Sequence, residues 1–307
     1  MYNSIIELIG NTPILKLNKL KKELNLIGDL FVKLEMFNIS GSIKDRIAKN
    51  IILEAISEGL VNKDTLIVEA TSGNFGISLA AICASLDLNL LCIMPDSVSI
   101  ERQEIIKLYG GNIILTPKEL GMKGSLEVVE KIKNENNNIF IPSQFTNIIN
   151  SFTHFDITGP EIYQQMDGKV DILISGIGSG GSITGIAKLL KSKRNVHVIG
   201  VEPEESPLLS KGKCGIHNIE GIGPNFIPDI LEVEYIDDIK TISYKKAVDG
   251  VNLLAKNEGV FVGISAGAAL MIGIEQALLQ ENKNKQILVI LPDTGNRYLS
   301  KLMIGNE

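Results

Sequence analysis

The run Asp171-Ile172-Leu173-Ile174-Ser175-Gly176-Ile177-Gly178-Ser179-Gly180-Gly181-Ser182 decides the fold. Apolar residues arrive without polar alternation, then break into small residues just before a helical pattern begins. A strand that is apolar throughout must be covered on both faces, as strands of parallel sheets are. The same grammar recurs along the chain. Candidate strands are Leu30–Leu34, Leu66–Glu69, Leu88–Met94, Asn112–Leu115, Ile139–Ile141, Ile172–Ser175, His197–Val201 and Gln286–Leu291. Helical patterns fall between them, at 42–58, 74–86, 99–110, 124–136, 180–193, 243–258 and 265–281. This alternation predicts an α/β fold with parallel sheets.

A chain of 307 residues with 44% hydrophobic content predicts one large or two medium α/β domains. Aromatics make up 5% and tryptophan is absent, which argues against stacking-based recognition of nucleic acids or sugars. The net charge of −6 provides no basic footprint for nucleic acid or an anionic membrane. Cys83 and Cys92 sit in apolar stretches as core fillers. With Cys214 they make an odd count without a CxxC pair, so neither a metal site nor a disulfide framework is expected. The first residues lack a signal pattern and no apolar run reaches membrane-spanning length, so a cytoplasmic protein is expected. A domain division is placed near 145, and the Gly- and Pro-rich segment 203–236 reads as a long, functional excursion.

Four helix entries carry chemistry. Gly176, Gly178 and Gly181 match G-x-G-x-x-G, and Glu202 ends the next strand about where a ribose-binding acid sits in a dinucleotide fold. Alone, this segment reads as a NAD fingerprint, and a plain tight turn is the bland reading. Ser179 and Ser182 add hydroxyls, and Gly180-Gly181 exposes adjacent N–H groups, a set suited to a terminal phosphate. Lys44 follows the entry Ser40-Gly41-Ser42, near the positive end of a helix, where a neutral amine is favoured. A lysine on a helix is ordinarily a solvated charge. Thr71-Ser72-Gly73-Asn74 opens another helix and reads equally as an anion-binding turn or an N-cap. Ser265, in Gly263-Ile264-Ser265-Ala266-Gly267, reads as a polar contact for something flat or as a tightly packed helix start. An amine, an anion-friendly loop and a phosphate cradle together suggest a phosphate-bearing aldehyde cofactor.

The ordered set of motifs resembles the cysteine synthase and cystathionine β-synthase family of fold-type II pyridoxal-phosphate enzymes. The matches begin at Ile9-Gly10-Asn11-Thr12-Pro13, Ser40–Arg46 and Thr71–Asn74. They continue through Pro142-Ser143-Gln144-Phe145, Thr158-Gly159-Pro160-Glu161, Gly176–Ser182 and Gly221-Ile222-Gly223 to Gly263-Ile264-Ser265 and Leu291-Pro292-Asp293-Thr294-Gly295. The resemblance implies two open, mainly parallel twisted sheets flanked by helices, with pyridoxal 5'-phosphate in the cleft between domains. It implies a small domain over 40–145 and a large one over 1–39 and 146–307. Lys44 would form the Schiff base and move the α-proton. Gly178, Ser179, Gly180, Gly181 and Ser182 would hold the phosphate, Asn74 the ring hydroxyl and Ser265 the pyridine nitrogen. Thr71, Ser72 and Gln144 would bind the carboxylate of a small amino-acid substrate. The neutral serine suits β-elimination more than transamination. The implied reaction is β-replacement through an aminoacrylate. A homodimer, and docking of a partner's C-terminal tail at the site mouth, also follow from the resemblance.

Three positions depart from the pattern. Ala70 stands for a proline, Phe75 for a threonine, and Pro224-Asn225 for small residues. Phe75 is expected to narrow or dry the pocket mouth. Asn225 reads either as a polar group near the substrate Cβ or as a turn residue. These departures favour L-cysteine as substrate, with sulfide released and water or a thiol added. The alternatives are O-acetylserine sulfhydrylase activity or, from a different class, a NAD-dependent dehydrogenase.

Overall fold

The computed structural model describes residues 1–303. It divides into two compact units. The smaller holds Met1–Ile9 and Asn38–Ile149, and the larger holds Gly10–Phe37 and the chain from Asn150 onward. Residues 1–9, expected with the larger domain, belong to the smaller unit. The cause is apolar burial: Ile6 is buried in that unit's core beside Ile9.

In the larger unit, strands β1 (Ile14–Lys16), β2 (Asp29–Leu34), β7 (Ile172–Gly176), β8 (His197–Pro203), β9 (Asp238–Ile242) and β10 (Gln286–Leu291) form one sheet. Their order is β1-β2-β10-β7-β8-β9, and only β1 runs antiparallel to its neighbour. The central strands are buried on both faces, as their unbroken apolar runs require. Helix Ile264–Leu278 is nearly all apolar and correspondingly buried along most of its length.

In the smaller unit, β3 (Leu66–Ala70), β4 (Asn89–Pro95), β5 (Asn112–Thr116) and β6 (Ile139–Phe140) form an all-parallel sheet in the order β5-β4-β3-β6. One face packs on Ile47, Ile51, Ile77 and Ile82, and the other meets Val129. Cys83 and Cys92 are buried here, and burial pushes the Cys83 thiol up to about 12.

Both sheets contain a point where the chain order reverses. From β3 the chain steps to β4 and β5, then returns to the far side of β3 as β6. From β7 it steps to β8 and β9, then returns as β10 on the far side of β7. Open α/β sheets bind ligands outside the carboxyl ends of the strands at such points. The segments leaving those four strands are 71–73, 141–148, 177–180 and 292–294. No described helix is long and apolar enough to cross a membrane.

Candidate active site

Lys44 is the first residue of helix Lys44–Ser57. The helix entry is fixed by Asp45, whose buried carboxylate accepts from the Ser40 N–H at 2.6 Å and from the hydroxyls of Ser40 and Ser78. Ser78 lies one turn into helix Asn74–Ser85, so the starts of the two helices are pinned together. Asp45 is this pin. The Lys44 side chain keeps some accessible surface, but its amine is enclosed, and burial lowers its pKa from 10.5 to about 8. Roughly one such amine in ten is then neutral at pH 7, against less than ~1 in 1,000 for a free lysine.

The loop after β3 presents Ser72 to solvent and half-buries Asn74, the first residue of its helix. Thr71 is buried, and its hydroxyl accepts the Gly73 N–H at 3.4 Å. Across the reversal point, the loop after β6 carries Gln144, which is also buried. A residue that the motif reading did not single out joins the two loops. Glu69, next to last in β3, accepts the Ser143 N–H at 2.8 Å and the Gln144 N–H at 3.4 Å. Burial pushes the Glu69 carboxyl up to about 8, against the pull of those two N–H groups. The only sign of this in the sequence was a charge inside an otherwise apolar parallel strand.

Phe75 is not at a pocket mouth. It is 1% exposed and packs in the core of the smaller unit. Successive helical residues point about 100° apart, so Asn74 can face the loop while Phe75 turns inward. We expect Phe75→Leu to lower the unfolding free energy by about 1–2 kcal/mol, read from denaturant midpoints, with KM unchanged.

In the larger unit, the loop Ile177–Gly180 joins β7 to helix Gly181–Lys193. Gly180 has φ +83°, a left-handed conformation that points successive N–H groups the same way. Asn150 donates its side-chain amide to Ser179 Oγ at 3.0 Å, and Ser182 Oγ lies 3.1 Å from His154 Nε2. Neither Asn150 nor His154 was anticipated, because both come from a helical stretch around 149–165 that the pattern reading left unassigned. The segment Gly221–Asn225 closes on this cradle. The Gly223 N–H donates to the Ile177 carbonyl at 3.0 Å, and a Cβ on Gly178 would stand 2.3 Å from the Gly221 oxygen. A Cβ on Gly221 would stand 3.4 Å from Ser265 Oγ, in the first turn of helix Ile264–Leu278. The structure thus brings residues 178–182, Asn225's loop and Ser265 together. Asn225 is exposed, has φ +65°, and its Oδ1 accepts from the buried Ser206 hydroxyl at 2.5 Å.

Glu202 does not serve as a ribose acid. It is buried and capped by the Leu209 and Ser210 N–H groups and the Ser210 hydroxyl. The dinucleotide reading loses its second feature.

The chain matches the family of pyridoxal-phosphate dependent enzymes over residues 5–293. It belongs to that family. Cysteine synthase B of Campylobacter jejuni is 46% identical over 98% of both chains. Among solved structures, a hydrogen sulfide-producing enzyme from Fusobacterium nucleatum has a TM-score of 0.94 at 43% identity, covering 97% of this chain and all of the other. The cysteine synthase of Entamoeba histolytica has a TM-score of 0.95 at 38% identity, covering all of this chain and 92% of its own.

The protein is therefore a cysteine synthase-like, pyridoxal-phosphate-dependent enzyme with the expected two-sheet fold. Each unit by itself carries a feature suited to the cofactor. Within the smaller unit, burial lowers the Lys44 pKa to about 8. Within the larger unit, a left-handed glycine turn stands at a helix N-terminus, where a phosphate gains both N–H donors and the helix dipole.

Proposed function

We propose that this enzyme catalyses replacement at the Cβ of L-cysteine, expelling sulfide and adding water or a thiol. With water the balance is L-cysteine plus water to L-serine plus hydrogen sulfide. The observation that carries this reading is Asn225, a polar side chain held by Ser206 on the loop that closes over the cradle and reaches Ser265. The likeness to a sulfide-producing enzyme supports it. O-acetylserine plus sulfide is the second reading, supported by the likeness to cysteine synthases.

In this reading the N–H groups and hydroxyls of Gly178, Ser179, Gly180, Gly181 and Ser182 hold the phosphate. The Asn74 side chain meets the ring hydroxyl and Ser265 Oγ the pyridine nitrogen. Thr71, Ser72 and Gln144 hold the substrate carboxylate. The bound cofactor supplies an electron sink for the pair left at Cα. Lys44 Nζ takes the Cα proton, and its lowered pKa lets a neutral amine do so near pH 8. The NH₂ of Asn225 would donate a hydrogen bond toward the group entering or leaving Cβ, but it cannot accept a proton.

Incubating the holoenzyme with L-cysteine and assaying sulfide and serine tests the proposal. Sulfide release is expected. Its absence, beside rapid cysteine formation from O-acetylserine and sulfide, would establish the second reading instead. Asn225→Asp puts a carboxylate oxygen where the NH₂ stood, with the other oxygen still on Ser206. Turnover of L-cysteine is expected to rise by about tenfold, below the 10²–10⁴ of a fully positioned base. An unchanged rate would remove Asn225 from the chemistry.

A further inference from the structure

We infer that Glu69 is a positioning residue for the substrate carboxylate: it holds the Gln144 loop against the Thr71–Asn74 loop across the reversal point of the smaller sheet. The inference rests on the proposed role of Gln144 in carboxylate binding.

The geometry begins with where the parallel ladder stops. β6 pairs with β3 only through Leu66↔Ile139 and Ile67↔Phe140. Pro142 has no N–H to continue it. Beyond this point the strands would splay, which is how a binding crevice opens. Glu69 spans the splay with its side chain. Its two oxygens take the N–H groups of Ser143 and Gln144, the first donors after the proline. Glu69 is 3% exposed and Gln144 7%, so solvent does not compete for these bonds.

The held loop is otherwise unfavourable. Ser143 has φ +54°, a left-handed conformation that L-residues rarely adopt without support. The turn it starts closes on itself, with the Thr146 and Asn147 N–H groups both donating to the Ser143 carbonyl. Glu69 stands two residues before Thr71, the first residue after β3. A single carboxyl group therefore sets the spacing between two loops that converge on one anion.

The test is Glu69→Gln in the holoenzyme. The amide keeps the shape but turns an NH₂ against one of the two N–H donors, which releases one side of the loop. KM for the amino-acid substrate, and the inhibition constant of propionate as a bare carboxylate probe, are expected to rise about tenfold, with kcat within about twofold. Amide exchange over residues 140–147 is expected to quicken by a similar factor. Should Glu69→Gln fail to fold, Glu69→Asp keeps the carboxyl group one methylene short and is expected to shift KM in the same direction by a smaller factor. Unchanged KM and propionate binding in a folded variant would overturn the inference. Gln144→Ala separates this from the reading beneath it. If Gln144→Ala also leaves KM unchanged, it is the role of Gln144 that fails. If Gln144→Ala raises KM and Glu69→Gln does not, it is the role of Glu69 that fails.

Discussion

Lys44→Ala is expected to lower turnover by about 10³-fold, within the range that a positioned proton carrier supplies. It is also expected to abolish covalent retention of the cofactor after borohydride reduction. The fold should survive. Removing the amine leaves in place the tie of Asp45 to Ser40 and Ser78 that fixes the helix entry. The pH dependence carries a sign. Burial lowers the Lys44 pKa to about 8, so the neutral, reactive amine appears as pH rises through 8 rather than through 10.5. Competitive labelling of the cofactor-free protein with a small acylating reagent, read at the peptide that carries Lys44, should show an amine that titrates near 8. A Lys44 that titrates near 10.5, or a variant that retains substantial turnover, would displace Lys44 from its proposed role.

Gly178→Ala is expected to weaken cofactor affinity by about 10- to 100-fold. The new Cβ would stand 2.3 Å from the Gly221 carbonyl oxygen. That neighbour is backbone, so no rotamer change relieves the clash, and the cradle or the 221–225 loop must move. Overpacking of this kind costs about 1–3 kcal/mol, and each 1.4 kcal/mol is tenfold in affinity. Because the displaced loop also meets Ser265 and carries Asn225, KM and kcat should both suffer. Equilibrium titration of the cofactor-free variant with pyridoxal 5'-phosphate measures the loss. Wild-type affinity would mean that the close approach of Gly178 to Gly221 has no part in holding the phosphate.

Much of the fold was legible because the central strands are covered on both faces. β3, β4, β7, β8 and β10 read as apolar runs close to their observed bounds. β1 and β9 were not assigned, since three residues at one edge and Asp238-Ile239-Lys240-Thr241-Ile242 at the other carry no such run. The stretch 149–165 escaped because its helical phase is broken. A π-helical turn at His154–Thr158 precedes Gly159-Pro160, so no constant 3.6-residue period survives. The helix-entry loops were legible from their small and hydroxyl residues. What could not be read was the direction of single side chains. Phe75 follows the polar turn in sequence but faces the core, and Glu69 finds its donors 74 and 75 residues further along the chain. Hydrogen bonds to backbone N–H groups leave no trace in the partner's residue type, so such links appear only once the strands are registered.

The placement of β10 between β2 and β7 has a consequence for biosynthesis. The larger sheet is stitched from opposite ends of the chain, with Asp29–Leu34 pairing Gln286–Leu291. While the polypeptide is still on the ribosome, β2 has no parallel neighbour and the heart of that sheet is missing. The smaller sheet is drawn wholly from residues 66–140 and can close long before. Vectorial synthesis thus favours one order of events. The all-parallel sheet matures first, and the glycine cradle gains its full support only when the last strand emerges.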